Sequence, residues 1–319
     1  MAKLAGAAHG ERWDIAPPEV EQLEAEWWAK YAWLENDYAW VQPPSVRKAL
    51  RSHYLSHILK RIPRDGTIID FGCGPAWLAI LLCELGARHV VGVDNSSAQI
   101  ALARENVAQA GLRGKIDFID TMSADLVKSA KGLIMHGVLH HLSGQEIDSF
   151  ADMIASNVGP DSKIFILEPV LGSDRYGIWS LPYKLLLLFR SLRGQSSEEQ
   201  TIRARLQSRS DGPRHPGYGV SPKERPFQVG ELERRLGRRF KVSRGKPVLF
   251  NSVRVAMELL LLAKTRPRTA GFLLRYGLPP YMIWERASFL FAPRALWNGW
   301  VFCLFEATPL NSGAPSGAR

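Results

Sequence analysis

The stretch IIDFGCGPAW, residues 68–77, decides the fold of this chain. An apolar run ends in Asp70, and glycines follow at positions 72 and 74. This is the pattern of a buried strand that leads into a ligand-binding turn, because glycine lets the backbone bend sharply and approach a ligand closely. The two glycines alone leave open which ligand the turn receives.

The segment from 67 to 168 alternates between strand and helix patterns. Helical patterns such as 75–86 and 97–111 separate short apolar runs, and each helix ends at a glycine. Continuous apolar strands separated by helices predict a parallel sheet that is covered on both faces. Five strands are expected, at TIIDFG (67–72), HVVGVD (89–94), KIDFID (115–120), GLIMHG (132–137) and SKIFILEPV (162–170).

The segments on either side of this core have mixed patterns. Residues 17–62 are expected to be helical with a break at 42–44, and their many aromatic side chains fit core packing or a cover over a ligand cleft. Beyond the fifth strand the prediction is helices at 176–193 and 226–237, a strand in 239–250, two helices within 252–293 and a last strand at 297–307.

The side chains around the glycine turn restrict its ligand. A dinucleotide-binding turn needs a third glycine at position 77, where this chain has Trp77. The carboxylate of Asp70 is unfavourable beside a diphosphate and favourable beside cationic or hydrogen-donating groups. Asp94 ends the second strand, and a carboxylate there can accept both hydroxyls of a ribose. These features indicate a nucleoside that carries a positively charged amino-acid moiety and no phosphate.

At this point the chain resembles the class I S-adenosylmethionine-dependent methyltransferases, in particular the small-molecule branch with the quinone- and lipid-type enzymes. The matching pieces occur in order over roughly residues 55–170. The resemblance implies a Rossmann-like α/β fold, a doubly wound, mostly parallel seven-stranded sheet with N-terminal helices and helical lid insertions. The pieces are DFGCGPA (70–76), VVGVDNS (91–97), KIDFIDTMSADL (115–126), GLIMHGVLHHL (132–142) and KIFILEP (163–169).

The resemblance also assigns the cofactor, S-adenosyl-L-methionine, to particular residues. Asp70 would lie near the methionine amino group, Asp94 would hold the ribose hydroxyls, and Asn95 would lie beside the adenine. Where many members have an acidic residue near the adenine amine, this chain has Met122 and Ser123, with Asp120, Asp125 or the backbone as alternatives. The cofactor-binding set is Asp70, Gly72, Cys73, Gly74, Asp94, Asn95, Met122, Ser123 and His136, and no metal is expected.

Methyl transfer from a sulfonium needs an acceptor held close to it in a water-poor cleft, so a dedicated catalytic residue is optional. A general base helps when the acceptor is a hydroxyl or a carbon, and histidine is the usual one. The candidates are His140 and His141 after the fourth strand and Glu168 at the end of the fifth, with a structural role as the alternative for the histidines. His215 and Tyr218 are further candidates in the basic loop.

The acceptor is expected to be a hydrophobic small molecule or a lipid-linked group. The fourth strand ends in HGVLHH (136–141), without the Asn/Asp-Pro-Pro-aromatic motif of enzymes that methylate nucleic-acid bases. The later segments mix large apolar residues with arginine, which fits a bulky acceptor, peripheral membrane contact, dimerisation or a small core of their own. The alternatives are an RNA methyltransferase that uses the basic segment, and a non-methylating S-adenosylmethionine-binding protein or cyclase.

Charge and composition set further expectations. The net charge of +10 is concentrated between 190 and 246, with 15 basic against 6 acidic residues, whereas 60–168 has 10 against 13. Such a segment can attract phosphates, anionic lipid or nucleic acid, or simply be a solvated surface. Three cysteines without metal or disulfide spacing, no apolar run of membrane-spanning length and no secretory signal favour a cytoplasmic protein, with membrane-peripheral association as the alternative.

The predicted domain organisation follows from these segments. An aromatic-rich helical cap occupies 1–62, the cofactor-binding core occupies 63–170, and lid or substrate insertions with elements completing the sheet occupy 171–296. The last strand at 297–307 and a disordered tail at 308–319 complete the chain.

Overall fold

The computed structural model describes most of the chain. The described residues are 14–40, 44–171, 221, 223, 225–248, 250–291 and 300–310. The helix predicted at 176–193, most of the basic segment, and the candidates His215 and Tyr218 lie outside these residues. Within them, no helix is both long enough and apolar enough to cross a bilayer.

A central sheet organises the described residues. Its strands are β1 Thr67–Phe71, β2 His89–Val93, β3 Ile116–Ile119, β4 Gly132–His136, β5 Lys163–Leu171, β6 Phe227–Gln228, β7 Phe240–Val242, β8 Lys246–Pro247 and β9 Trp300–Pro309. Seven of them follow one another in the order β3-β2-β1-β4-β5-β9-β7. The two short strands β6 and β8 lie outside this order and pair with β5 and β9, respectively.

The first five strands are parallel, as the apolar runs predict, and β9 is antiparallel to both β5 and β7. The order changes direction at β1 and β4, which are neighbours, so the ends of these strands flank a crevice at the carboxyl edge of the sheet. The doubly wound fold with seven strands along its path is confirmed.

Helices cover the sheet. Serine side chains accept hydrogen bonds at the starts of three of them, from Ser96, Ser123 and Ser143, and Ser143 forms a reciprocal capping box with Glu146. The helices are α1 Pro18–Trp40, α2 Pro44–Tyr54, α3 Ser56–Leu59, α4 Trp77–Glu84, α5 Ser97–Gln109, α6 Ala124–Ser129, α7 Gly144–Asn157, α8 Glu231–Leu236, α9 Phe250–Thr265, α10 Pro267–Phe272 and α11 Leu278–Phe291.

Several predictions beyond β5 are wrong in detail. The helix expected at 226–237 is a strand, a turn at Gly230 with φ +80°, and the short helix α8. The strand expected in 239–250 is two short strands, and residue 250 already begins α9. Three helical segments replace the two expected within 252–293, because a π-helical turn at Leu273–Gly277 separates α10 from α11. The last strand runs to Pro309, two residues into the predicted tail.

The chain divides into two compact units. One contains residues 11–171, 221–248 and 300–319, with the whole sheet, and the other contains α9, α10 and α11. In the second unit α9 packs against the following helices through an apolar core of Val255, Leu259, Leu262 and Ala270.

Candidate functional site

The turn after β1 adopts a backbone that glycine favours. Gly72 and Gly74 have φ of +70° and +49°, and Ala76 at φ +65° is the one non-glycine residue with positive φ in the described part of the chain. The amides of Gly72 and Cys73 donate to the carbonyl of Val93 at 2.8 and 3.1 Å. The turn is therefore fastened to the carboxyl end of β2.

Two glycines make this turn possible by leaving room for neighbours. A Cβ on Gly72 would lie 2.4 Å from the side chain of Val138, which follows β4. A Cβ on Gly92, within β2, would lie 2.9 Å from Cys73 Sγ and 2.8 Å from the Phe118 ring. Real side chains do not approach this closely, so both positions require glycine unless a neighbour moves.

Two carboxylates lie at the carboxyl ends of β1 and β2. Asp70 is buried, with 1% of its surface exposed. Asp94 accepts the amide of Gly74 at its Oδ2 and the amide of Ser96 at its Oδ1, both at 2.9 Å. Burial raises the pKa of Asp94, although these two hydrogen bonds oppose the effect. A carboxylate has about four acceptor positions, so Asp94 can still accept hydroxyl groups of a ligand.

The remaining predicted cofactor residues lie near the ends of β2 and β3. Asn95 is exposed and directly follows Asp94. Met122 is half-buried, and Ser123 is exposed and caps α6 by accepting the amide of Leu126 at 3.2 Å. These contacts neither require nor oppose a cofactor, so the roles of Asn95, Met122 and Ser123 stay predictions.

An aromatic cluster surrounds His136 at the end of β4. The hydroxyl of Tyr54 lies 3.3 Å from His136 Nε2, and the rings of Trp77 and Phe302 lie 5.1 and 6.1 Å from the imidazole. The Arg51 guanidinium lies 4.6 Å from the Trp77 ring centroid, in cation–π geometry. We call Tyr54, Trp77, His136 and Phe302 the aromatic cluster.

The aromatic cluster keeps its histidine neutral. Burial lowers the pKa of His136 to about 4, against the opposing charge of Glu168. Burial likewise raises the pKa of Tyr54 well above its usual value. Near neutral pH the cluster therefore presents an uncharged imidazole and an uncharged phenol.

Glu168 organises the turn that follows β4. It has no exposed surface, and its Oε1 accepts the amides of Val138 and Leu139 at 2.9 and 2.8 Å. Its Oε2 accepts the amide of His140 at 3.4 Å and lies 2.8 Å from Nδ1 of the same residue. The carboxylate thus fixes both the backbone of the 3₁₀ turn Leu139–His141 and the ring of His140.

The protonation of Glu168 bears on the tautomer of His140. Burial raises the pKa of Glu168 to about 7, against the hydrogen bonds from Leu139 and Val138. When Glu168 is ionised it can only accept, so Nδ1 of His140 donates to it. Nε2 of a neutral His140 is then an acceptor, which is the form that a general base requires.

His141 contacts a different set of residues. Its Nδ1 lies 2.8 Å from Ser221 Oγ and 3.2 Å from Glu24 Oε1, and its ring packs edge-on against Trp28. Although the rings of His140 and His141 are only 4.0 Å apart, one is held by Glu168 and the other by α1 and residue 221.

Glu24 joins α1 to the rest of the sheet unit. The buried carboxylate accepts Trp28 Nε1, Ser221 Oγ and the amide of Lys223 at 2.8 to 2.9 Å. Burial raises the pKa of Glu24, but the hydrogen bond and charge of His141 bring it below its usual value. Glu24 is thus held as an anion and anchors the first half of α1 beside the turn after β4.

The structure brings most of the predicted residues to one edge of the sheet. No motif indicates the contacts that Tyr54, Glu24 and Ser221 make in this site, and the sequence pattern at Trp77 indicates only that the turn does not receive a dinucleotide. The aromatic character of α1 was the one available signal. Trp28 confirms that an aromatic residue from α1 reaches the site, whereas the side chains from residue 30 to 40 lie outside the description.

Known methyltransferase sequences match the central part of this chain. A family described as Methyltransferase domain matches residues 68–161. The ribosomal protein L11 methyltransferase of Xanthomonas axonopodis pv. citri is 27% identical over 118 residues, which cover 35% of this chain and 37% of the relative. That of Vibrio campbellii is 25% identical over 46% of this chain and 57% of its own length. The chain therefore spans less than two thirds of these curated relatives.

Solved structures share the fold at low identity. The cyclopropane synthase MmaA2 from Mycobacterium tuberculosis has a TM-score of 0.54 at 13% identity, over 92% of this chain and all of that one. Phosphoethanolamine N-methyltransferase 2 of Haemonchus contortus, in complex with S-adenosyl-L-methionine, has a TM-score of 0.52 at 11% identity, over 92% of this chain and 60% of that one.

Proposed function

We propose that this chain, whose core is a class I S-adenosylmethionine-dependent methyltransferase domain, methylates a hydrophobic small-molecule or lipid-linked acceptor. The observation that carries the acceptor class is the aromatic cluster beside the glycine turn. Trp77 starts the helix that follows the turn, and His136 ends the central strand β4. The acceptor would meet the transferable methyl group in this aromatic environment.

The residues at the carboxyl edge fit S-adenosylmethionine, which supplies an electrophilic methyl group on a sulfonium. Asp70 provides a buried carboxylate for its ammonium group, and Asp94 provides a half-buried one for its ribose hydroxyls. The left-handed turn at Gly72 and Gly74 holds the backbone beside the Asp94 carboxylate. These two features match a cationic nucleoside better than a diphosphate.

The aromatic cluster would act by excluding water and by presenting ring faces. A sulfonium displacement proceeds faster when solvent is removed and the nucleophile is held in line. The Arg51 guanidinium lies over the face of Trp77, so the cluster would offer an anionic group of the acceptor one positive charge beside its aromatic rings. His136 stays neutral because of its low pKa and adds no repulsion.

His140 is the residue we assign as general base, for acceptors that must lose a proton. Glu168 positions its ring through Nδ1, so Nε2 is the nitrogen that would take the proton. Glu168 is in our proposal a positioning residue, because its hydrogen bonds go to the turn at 138–140. His141 anchors α1 through Glu24 and Ser221, which is a structural role.

A protein acceptor is the second candidate, favoured by the names of the ribosomal protein L11 methyltransferases among the relatives. An RNA acceptor has less support, because two basic residues in the described part of the charged segment form ion pairs within the chain. Lys223 is paired with Glu21 and Glu146, and Arg239 is paired with Asp152.

The proposal is tested by offering three acceptor pools to the purified chain with S-adenosylmethionine. The pools are an apolar extract of cells, ribosomal proteins and total RNA. Formation of S-adenosylhomocysteine and of a product heavier by one methyl group is followed by mass spectrometry. We expect turnover with the apolar extract alone, and Asp94→Ala should lower it at subsaturating S-adenosylmethionine.

Two results would contradict the proposal. Methylation confined to ribosomal proteins or to RNA would refute the apolar acceptor and leave the methyltransferase activity standing. Tight cofactor binding without S-adenosylhomocysteine from any pool would refute methyl transfer itself. His140→Gln tests the general base separately from the integrity of the fold. It should lower kcat without weakening cofactor binding measured by calorimetry.

A further inference from the structure

The second unit carries an exposed apolar surface that the proposed activity does not use. Phe272, Tyr276 and Ile283 are 63%, 57% and 71% exposed, and Pro279 and Pro280 between them are also exposed. The rings of Phe272 and Tyr276 lie 5.2 Å apart, so they form one continuous patch. Large apolar side chains that are exposed together mark an interaction surface more often than isolated ones do.

The same helices have a second apolar side, which is buried by packing against α9. Ala270 is fully buried against α9, and Leu273, Leu274, Leu278 and Tyr281 pack against the same core. The exposed patch is therefore not the core face of this helical segment, and its exposure has no role in the packing of α9.

The segment that carries the patch also contains exposed arginines. Between residues 266 and 287 there are four basic residues, Arg266, Arg268, Arg275 and Arg286, and all of them are exposed. The one acidic residue in this range, Glu285, is buried and accepts the amide of Ser252 at 2.9 Å. The exposed side chains of this segment thus combine positive charge with aromatic and aliphatic surface.

We propose that this surface, Arg266–Arg286, binds the anionic face of a lipid bilayer. Phe272, Tyr276 and Ile283 would enter the headgroup and acyl boundary, and the arginines would contact lipid phosphates. A second copy of the chain is the weaker fit, because a symmetric contact would bring the same four arginines against each other. The proposal holds whether or not the chain methylates a lipid.

The test is flotation of the full chain with vesicles of phosphatidylcholine alone and of phosphatidylcholine with about one third phosphatidylglycerol. We expect binding to the anionic vesicles only, weakened by raising the salt concentration. Ile283→Ser and Phe272→Ser should each reduce the apparent affinity by about tenfold, because each removes a large apolar side chain from the boundary. Arg268→Gln with Arg275→Gln should reduce it by a similar factor.

A matched control is available in the sheet unit. Ile15 is 70% exposed, almost equal to Ile283, and Ile15→Ser should leave vesicle binding unchanged. Equal effects of Ile15→Ser and Ile283→Ser would overturn the proposal, as would failure of the unaltered chain to bind anionic vesicles at low salt. A dimer in light scattering that dissociates on Ile283→Ser, with no vesicle binding, would assign the surface to a second copy instead.

Discussion

His136 and Glu168 predict a distinctive pH profile of stability, because burial shifts their pKa values in opposite directions. Glu168 has a pKa of about 7 in the fold against 4.5 for a solvated glutamate carboxyl, so between these values the folded chain holds a proton that the unfolded chain loses. Its contribution to the free energy of unfolding is fully present below pH 4.5 and is lost as the pH rises through 7. His136 has a pKa of about 4 against 6.5, so its contribution rises between pH 4 and 6.5.

The two contributions are similar in size. Each interval, from 4.5 to about 7 and from about 4 to 6.5, corresponds to about 3 kcal/mol in the free energy of unfolding at about 1.4 kcal/mol per pH unit. Between pH 4.5 and 6.5 the slopes cancel, and these two residues leave the stability nearly flat. Glu168→Gln lacks the contribution that falls with pH and keeps that of His136. Between pH 4.5 and 6.5 its free energy of unfolding should therefore increase by about 3 kcal/mol more than that of the unaltered chain.

Urea unfolding at pH 4.5, 5.5 and 6.5, followed by tryptophan fluorescence, measures these differences. His136→Phe keeps an aromatic ring in the cluster and should give the reciprocal result, a stability that falls with pH. The double variant should again be flat relative to the unaltered chain. Parallel profiles for Glu168→Gln and the unaltered chain would refute the reasoning, because they would mean that Glu168 has the same protonation in the folded and unfolded states.

The remaining predictions concern the glycine turn. Asp94→Ala should weaken S-adenosylmethionine binding in calorimetry by about tenfold or more, since two ligand hydroxyls lose a charged acceptor. Asp161→Ala, at an exposed position, should not weaken it; equal affinities of the two variants would refute the role of Asp94 in holding the ribose. Gly72→Ala should lower the free energy of unfolding by about 2 kcal/mol or more, from positive φ and the clash with Val138. Gly111→Ala shares a positive φ but meets open space, and should cost only about 1 kcal/mol in chemical denaturation; equal losses would contradict the clash.

The core of the fold could be predicted because its strands are continuous apolar runs that end at glycine or aspartate. Strands β1 to β5 differ from their predicted bounds by no more than one residue at either end. The prediction was less accurate where a neighbour decides the conformation. Gly245 lies between β7 and β8, and a Cβ there would be 2.5 Å from the Phe305 ring of β9. No local pattern could indicate that close contact.

Local sequence order also predicts part of the candidate site. Asp70, Gly72, Gly74 and Asp94 follow from the order of strand and turn along the chain. The partners of the histidines come from distant segments, since Tyr54 is 82 residues before His136 and Glu168 is 28 residues after His140. Such pairings depend on how the sheet assembles, and spacing in the sequence carries no signal for them.

The position of β9 has a consequence for how the chain matures on the ribosome. This strand pairs with β5 along eight residue pairs, from Ile164 to Leu171, yet it is synthesised about 130 residues later. At a synthesis rate of roughly 5–20 residues per second, the edge of β5 that pairs with β9 would stay unpaired with it for on the order of ten seconds. During this interval β5 can pair with other nascent chains, so a block in translation before residue 300 should yield an aggregation-prone product that a chaperone must hold.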